Sequence, residues 1–438
     1  MFFNTISLFY MQIRSIKDYS PFALFLPLLV LYTAYVCYFH TDQMEGDEMR
    51  YIQFAKNLLQ GFYSPAYPHI DLINGPGYPI VLMPFAALST PLIFITLFNA
   101  VLYYVSVVFL FKAIQLVTLS FKAACIAALC WGLNILAYQE MPCILTECLT
   151  AFLISAFSYQ LIRIYSTPGF TYKTLLPAGF TFGFLILTKV IFAYVLVILL
   201  VCTGICYVLR KHSDLMLKIV CIFSFALLTI TPYIIYTYSL TGKFFYLSSE
   251  GGKVLYWMTS LDAHEYGDWN NNTFTANCSE TFCNADLIAV NHAADIQQIN
   301  ACKDVLEADA LFKHMAIEHI KTNPVKYIKN WFANIGRLLF GFPASYYFQS
   351  PATLVRIYIN SVLLLALVYS CIAVLWNLKK IPVEIKILAG FSMCYLVLSS
   401  LFSAYPRQFN VLVPALLIWI TYILKNTVKI DLKISAGN

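Results

Sequence analysis

Long apolar runs dominate the chain, and polar residues are confined to the segments between them. A run of roughly 17–25 apolar residues has the length that a helix needs to cross a bilayer. Such runs lie at approximately 21–39, 91–111, 123–138, 148–165, 174–188, 190–209, 219–239, 353–376, 384–403 and 408–424. The pattern predicts an all-α polytopic membrane protein with about ten transmembrane helices.

The number of spans is uncertain by about one, because of two regions of the sequence. The apolar run 78–90 is too short to cross the bilayer alone. It is either a half-helix or the slanted start of the second span. The fifth and sixth spans meet at Lys189 with no polar turn to separate them.

Composition supports a membrane protein over a soluble one. Apolar residues make up 60% of the 438 residues and charged residues only 11%, with a mean hydropathy of +0.72. A soluble domain carries about 25% charged residues. Three regions are predicted: membrane spans in 1–240, an outer loop domain in 241–352, and further spans in 353–438.

The net charge of +6 reflects membrane topology. With the N-terminus inside, alternate loops place 15 of the 28 basic residues on the inner side, against four of the 22 acids. An excess of Lys and Arg in short inner loops is the signature of the cytoplasmic face. Both termini are therefore predicted to be cytoplasmic, and no nucleic-acid partner is implied.

The first outer loop, 40–77, contains a predicted amphipathic helix. Gly46 followed by Asp47 and Glu48 is typical of a helix start, because acids are favoured in the first turn. Gly61 is expected to end it. The apolar stripe consists of Met49, Ile52, Phe54, Ala55, Leu58 and Leu59. Such a helix lies on the membrane surface.

This helix begins within a cluster of charged residues. Its members are Asp42, Glu45, Asp47, Glu48 and Arg50, and Tyr51 is adjacent. Arg50 and Tyr51 are candidates for binding the substrate or its phosphate. Closely placed carboxylates beside a membrane can hold a divalent cation such as Mg²⁺ or Mn²⁺, or act as a general base. The alternative is a juxtamembrane helix whose acids are only solvated.

Glu147 and Lys189 are further candidates on the predicted outer face. A carboxylate at the edge of the hydrocarbon usually faces a cavity or a partner, although Glu147 could also reach the headgroups. Glu140 lies further out and is less favoured. Lys189 is the only charge within 174–209 and can pair with a phosphate, or it marks a loop between two helices.

Two arginines complete the candidate set. Arg407 lies at the outer end of the last span, in Ala-Tyr-Pro-Arg-Gln at 404–408. Its planar fork of donors suits a phosphate or pyrophosphate. Arg337 is a more remote candidate for the same role.

The first outer loop resembles that of the GT-C glycosyltransferases. The resemblance lies in Asp-Glu at 47–48, Arg-Tyr at 50–51, Ala-x-Asn-Leu-Leu at 55–59 with Gly61 after it, and Gly-Pro-Gly-Tyr-Pro at 75–79. It is nearest to the bacterial branch related to protein O-mannosyltransferases and the lipid A aminoarabinose transferase. Leu-Thr-Glu at 145–147 is similar to the family's second acidic loop.

Two later motifs match the family in part. Val190 stands where a Pro often follows the Lys or Arg of a Leu-x-Lys/Arg-Pro sequence, and Gln408 replaces the Tyr expected after Arg407. The stretch 242–252 resembles a strand that leads to a Ser-rich Gly-Gly turn. Helices are expected over 308–320 and from Pro324 onward.

The resemblance implies a GT-C bundle with a small extracytoplasmic α(+β) domain, in a bacterial inner membrane with the active site outside. The implied donor is a polyprenyl-phosphate-linked sugar, and the acceptor is a lipid, a glycan or a protein. Asp47 would act as the base with Glu48 beside it. Glu147 would position the acceptor or share a metal with Asp47, and Lys189 and Arg407 would stabilise the leaving phosphate.

A transporter or flippase of a lipid-linked or anionic substrate is the main alternative. It too would carry intramembrane charges, but the repeated halves that many transporters show are not visible in the sequence. A non-catalytic assembly subunit is a third possibility. Walker and Rossmann motifs are also not visible, which favours a lipid-linked donor over a nucleotide sugar.

Three cysteines lie in the large outer loop: Cys278, Cys283 and Cys302. In an oxidising compartment two of them could form a disulfide and leave one free. The pairing is left open.

Overall fold

The computed structural model describes residues 20–167, 169, 171–209, 214–269, 285–346, 349–375 and 378–426. Within these ranges the chain is helical and contains no strand. In chain order the α-helices are Pro21–Leu24 (α1), Leu26–Phe39 (α2), Asp47–Leu59 (α3), Gly77–Ala87 (α4), Leu92–Thr118 (α5), Phe121–Gly132 (α6), Ile135–Tyr138 (α7), Glu147–Ser166 (α8), Tyr172–Thr188 (α9), Ile191–Leu209 (α10), Asp214–Thr241 (α11), Gly251–Met258 (α12), Ala285–Asn291 (α13), Ala293–Asn300 (α14), Val305–Thr322 (α15), Pro324–Phe340 (α16), Pro351–Leu375 (α17), Val383–Ser400 (α18), Pro406–Asn410 (α19) and Val413–Asn426 (α20), with a 3₁₀ turn at Leu378–Lys380.

Helices form in all ten predicted apolar runs, and the chain is an integral membrane protein. Six helices in the described part are long and apolar enough to cross a membrane: α5, α8, α10, α11, α17 and α18. Shorter apolar helices are α2, α4, α6 and α20. The run 78–90 becomes the separate helix α4, which ends before Pro91 and α5 begin.

Close helix approach in the bundle depends on small residues. A Cβ at Gly179 of α9 would lie 2.4 Å from Phe225 Cβ of α11, and one at Gly183 would lie 2.5 Å from Thr229 Cβ. The four-residue spacing of these glycines lets two membrane helices touch along their backbones. A hydrogen bond from the Tyr32 hydroxyl of α2 to the Gly132 carbonyl of α6, at 2.6 Å, also connects two helices.

The segment 241–352, which is predicted to be an outer loop domain, contains a second, smaller core. It consists of Tyr256, Trp257, Ile288, Ile299, Phe312 and Ala316. The predicted helix over 308–320 is confirmed within α15, and the helix from Pro324 is confirmed as α16. The strand expected at the start of 242–252 is wrong, because that stretch is irregular until α12 begins at Gly251.

The carboxylate of Asp309 binds the irregular stretch before α12 and the start of that helix. Its Oδ1 accepts the Gly252 N–H at 2.6 Å, and its Oδ2 accepts the Tyr246 hydroxyl at 2.9 Å. One acid of α15 therefore caps the start of α12 and fixes the preceding turn.

A buried contact between His292 and Glu265 holds the start of α14 against the loop after α12. His292 Nε2 lies 2.8 Å from Glu265 Oε2, and the Ser260 hydroxyl donates to the same oxygen at 2.5 Å. Burial acts to raise the pKa of Glu265, but hydrogen bonding and charge from His292 outweigh it and lower the pKa to about 2. Glu265 therefore stays ionised in this buried position.

The predicted disulfide lies largely outside the described residues. Cys278 and Cys283 are not among them, whereas Cys302 carries a free thiol. The pairing stays a prediction.

Candidate functional site

The surface helix α3 places Asp47 at its first position. Gly46, with φ +51, supplies the left-handed backbone that turns the chain into the helix, and Gly61, with φ +89, follows its last turn. The buried face is Tyr51, Ile52, Phe54 and Ala55. Met49 and Leu59, expected in the apolar stripe, are 56% and 45% exposed.

Asp47 lies between two guanidinium groups. Its Oδ1 accepts Arg50 Nη1 at 2.9 Å, and its Oδ2 accepts Arg407 Nη2 at 3.1 Å. The three side chains are each 29% to 30% exposed. The carboxylate is thus fixed by its neighbours and still open to a ligand.

Arg407 continues this line of charges to Glu147. Its Nε lies 3.7 Å from Glu147 Oε1, and Lys189 Nζ donates to the same oxygen at 2.9 Å. Glu147 is the first residue of α8 and is only 5% exposed. A buried carboxylate needs such partners, since its unpaired charge would cost several kcal/mol.

Five charged side chains therefore alternate in sign. We call Arg50, Asp47, Arg407, Glu147 and Lys189 the charge line. They come from α3, α8, the junction of α9 and α10, and α19, which are far apart in sequence. The structure brings together the acids and cations that the sequence placed on one membrane face.

A glycine turn positions Lys189 against the first loop. A Cβ at Gly75 would lie 2.2 Å from the Leu187 carbonyl oxygen, and one at Gly77 would lie 2.5 Å from the Thr188 nitrogen. Only glycine permits this approach to the end of α9. The preceding Asn74 accepts Arg50 Nη1 at 3.4 Å, so the turn also contacts the charge line.

Glu48 ties the first outer loop to the second. Its Oε1 accepts the Ile144 N–H at 2.6 Å, and its Oε2 accepts the Glu45 N–H at 2.9 Å. Both oxygens are thus engaged with backbone groups. Catalysis by Glu48 stays a prediction.

Tyr51 and Arg337 are both buried, at 5% and 4% exposed. The Tyr51 hydroxyl accepts Asn74 Nδ2 at 3.0 Å, and its ring packs edge-on against Tyr78. Arg337 is 4% exposed and donates to the Pro343 carbonyl at 2.9 Å. Substrate binding by either residue stays a prediction.

Glu140 lies closer to the site than the sequence indicated. It lines a cavity of about 10 Å³ together with Glu147, which gives room for about one water molecule. Burial, followed by the charge of Glu147, raises the pKa of Glu140 to about 7. Its place seven residues before Glu147 in the same outer loop was the available signal.

A groove of about 930 Å³ runs along the open side of α3. Its walls include Met49, Gln53, Phe62 and Tyr236, and Arg50 lines it as well. Because Arg50 also binds Asp47, the groove borders the charge line. Mixed apolar and polar walls of this size suit an organic substrate.

The predicted cation site has competing partners in this arrangement. Asp47 has a guanidinium on each oxygen, and Glu147 contacts both Lys189 and Arg407. Among the described residues, no group of three or more His, Cys, Asp or Glu is placed to hold a metal ion. Metal binding by Asp47 and Glu147 stays a prediction.

Comparison with known proteins identifies the architecture. The sequence matches no family model and no curated protein sequence. An oligosaccharyltransferase structure from Archaeoglobus fulgidus, tethered with an acceptor peptide, superposes with a TM-score of 0.52 and 14% identity over 92% of this chain and 49% of that one. AglB from the same organism, in complex with an inhibitory peptide and a dolichol-phosphate, gives 0.51 and 13% over 92% and 50%.

ArnT from Cupriavidus metallidurans, bound to undecaprenyl phosphate, gives a TM-score of 0.38 and 14% identity over 91% of this chain and 77% of that one. This chain spans about half the length of the archaeal oligosaccharyltransferase. The similarity to the archaeal enzyme extends across nearly all of the present chain. The chain has the GT-C fold of membrane glycosyltransferases.

Proposed function

We propose that this protein is a membrane glycosyltransferase that moves a sugar from a polyprenyl-phosphate carrier to an acceptor on the extracytoplasmic side. The observation that carries the proposal is the ion pair of Asp47 and Arg407 inside a GT-C bundle. It joins a partly exposed carboxylate, able to take a proton, to a guanidinium, able to bind a phosphate.

The chemistry needs both groups at one place. The acceptor hydroxyl loses its proton to Asp47 while its oxygen bonds to the sugar C1. The bond from C1 to the phosphate oxygen breaks, and polyprenyl phosphate leaves with the electron pair. Attack from the side opposite the phosphate inverts the configuration at C1.

Arg407 is positioned to serve both partners of this step. In the present arrangement its Nη2 contacts Asp47 and its Nε faces Glu147. A phosphate that draws the guanidinium away would release one Asp47 oxygen for the acceptor. Cations beside the leaving group stabilise the charge that develops there, which is the largest electrostatic contribution expected in such a site.

Lys189 contributes by holding Glu147 and by adding positive charge to the leaving-group side. Its ammonium lies 2.9 Å from Glu147, whose carboxylate is buried at the start of α8. Glu147 thereby keeps Lys189 and Arg407 near each other in spite of their like charge. We assign it to positioning of these cations and of the acceptor.

A polyprenyl-phosphate donor is supported by the fold and by the location. The AglB structure of the same fold contains a dolichol-phosphate. Here the charge line lies at the ends of membrane helices, where a carrier phosphate would sit while its chain stays in the bilayer. We place the reaction on the outer face of a bacterial inner membrane, with both termini cytoplasmic.

Purified protein in nanodiscs, supplied with a panel of undecaprenyl-phosphate sugars and membrane-extracted acceptors, tests the proposal. Release of undecaprenyl phosphate with appearance of a glycosylated acceptor is the expected result. If no donor in the panel is consumed, and the protein instead moves a fluorescent polyprenyl-phosphate sugar between the leaflets of liposomes, the chain is a flippase.

A further inference from the structure

The cations of the charge line are already neutralised by acids. Arg50 pairs with Asp47, Lys189 pairs with Glu147, and Arg407 contacts both carboxylates. Three cations and two carboxylates leave one positive charge, and Glu140 nearby cancels it when ionised. A phosphate that binds here therefore gains little electrostatic stabilisation unless another cation contributes.

Arg356 is a cation close to this end of the bundle that the sequence analysis did not single out. It lies in the second turn of α17. A Cβ built on Gly341 would be 3.1 Å from Arg356 Nη1 and 3.4 Å from Pro406 Cγ. The guanidinium and the Pro406 ring therefore flank the same glycine, and Pro406 immediately precedes Arg407.

Arg356 has a hydrogen-bond donor without an acceptor. Its Nε is buried and has no hydrogen-bond partner, and no described acid lies within 4.0 Å of its guanidinium. One turn further along the same face, Asn360 Oδ1 is also buried without a partner, while its amide donates to the Leu339 carbonyl. Buried polar groups left without a partner are uncommon and call for an explanation.

Electrostatics connect Arg356 to the charge line. The carboxylate of Glu140 feels the positive charges of Arg407, Lys189 and Arg356, in that order of strength. Arg356 thus adds a positive charge near Glu140 that is not a member of the charge line. Such a charge favours the binding of a phosphate ester.

Arg356 lies on the protein-facing side of α17. Tyr358, Val362 and Leu365, which are 76%, 60% and 70% exposed, fall on the opposite side of this helix, since successive residues turn by about 100°. Helix α17 is long and apolar enough to cross a membrane, so these exposed side chains face lipid while Arg356 and Asn360 face the protein.

We propose that Arg356 is a phosphate ligand for the polyprenyl carrier and works together with Arg407. The inference rests on the proposed function, because it takes the carrier to be a polyprenyl phosphate. The planar guanidinium can donate two hydrogen bonds to one phosphate, and Nε–H is among its donors. The carrier phosphate thus binds the one nearby cation that no acid neutralises directly among the described residues.

The test measures the affinity of the purified full chain in detergent for undecaprenyl phosphate and, separately, for undecaprenol. Arg356→Gln removes the charge, Arg356→Lys keeps it, and Lys313→Gln removes an exposed cation of the outer domain as a matched control. We expect Arg356→Gln to weaken undecaprenyl phosphate binding by about tenfold or more, because hydrogen bonds to charged groups are lost. Arg356→Lys should retain part of the affinity, and Lys313→Gln and undecaprenol binding should show no change.

Several results would overturn the inference. If Arg356→Gln binds undecaprenyl phosphate as tightly as wild type, Arg356 has no part in binding the carrier phosphate. The same conclusion follows if the variant loses undecaprenol and undecaprenyl phosphate equally together with thermal stability. If the wild-type chain itself does not bind undecaprenyl phosphate, the proposed function fails as well, which separates the two claims.

Discussion

Arg407 and Asp47 are 360 residues apart in the chain and 3.1 Å apart in space. This ion pair joins the first outer loop to the last membrane helices. Neither partner is deeply buried, so the pair does not owe its place to the packing of the core. Each of the two side chains is 29% exposed, so the contact is partly open to a ligand.

The buried pair of Lys189 and Glu147 should behave as one unit. Lys189→Gln leaves Glu147 without its nearest cation, and removal of one partner of a buried pair costs about 3–5 kcal/mol. The double variant with Glu147→Gln should therefore lose less thermal stability than the two single changes added together. Additive losses in the four-member cycle would show that the two side chains do not interact.

The turn at Gly75 should be intolerant of any side chain. Gly75→Ala places a methyl group 2.2 Å from the Leu187 carbonyl oxygen and must displace the turn from the end of α9. We expect donor turnover to fall by at least about tenfold, since small misplacements in a site are costly.

Gly204→Ala is the matched control for this change. Gly204 lies in α10, where a Cβ would meet no atom within 4 Å. Equal turnover in the Gly75→Ala variant and in this control would refute the positional role of the glycine turn.

Glu140 should make stability depend on pH. Its pKa rises from the ordinary 4.5 to about 7 in the folded protein, so folding favours the protonated form. Below pH 4.5 the carboxyl does not lower the stability of the folded protein. Its destabilising effect grows as the pH rises to about 7. Glu140→Gln should therefore raise the melting temperature at pH 8 but not at pH 4.

The exposed acid Glu318 provides the control for this experiment. Glu318→Gln changes a surface pair with Lys321 and should show no comparable difference between the two pH values. A wild-type melting temperature that matches Glu140→Gln at both pH values would contradict the account of Glu140.

The Glu265 and His292 pair should control the stability of the outer domain. The pKa of Glu265 is lowered to about 2, so its contribution is complete above pH 4.5 and is lost as the pH falls towards 2. Glu265→Gln should destabilise the domain at pH 7 by roughly 3 kcal/mol. Faster hydrogen exchange in α14 would report this loss, and the difference from wild type should shrink at pH 3.

Hydrophobic length and charge were enough to predict the membrane helices and the meeting of distant charges. Each apolar run had to become a helix, because backbone groups in lipid have no other partners. Alternation of the spans then placed Asp47, Glu147, Lys189 and Arg407 at one end. This shared location allows these residues to meet. The structure shows that they form direct ion pairs.

Local sequence patterns did not show which charged residues form ion pairs with each other. Glu140 and Glu147 look alike in sequence, yet Glu147 receives Lys189 and Arg407 while Glu140 faces a small cavity. The contacts of the irregular chain before α12 with Asp309 could not be predicted either, because Asp309 is more than fifty residues away. Tertiary contacts, which local sequence does not reveal, determine these partners.

Donor turnover by wild type and Asp47→Asn is the most direct test of the account. Asp42→Asn is the control, since Asp42 is an exposed acid of the same loop that contacts only His40 among the described pairs. With a polyprenyl-phosphate sugar that the wild type consumes, the account predicts a loss of about a hundredfold or more for Asp47→Asn, as expected for removal of a general base. It predicts near-normal release of polyprenyl phosphate for Asp42→Asn. Wild-type turnover by Asp47→Asn would contradict the catalytic role at the centre of this account.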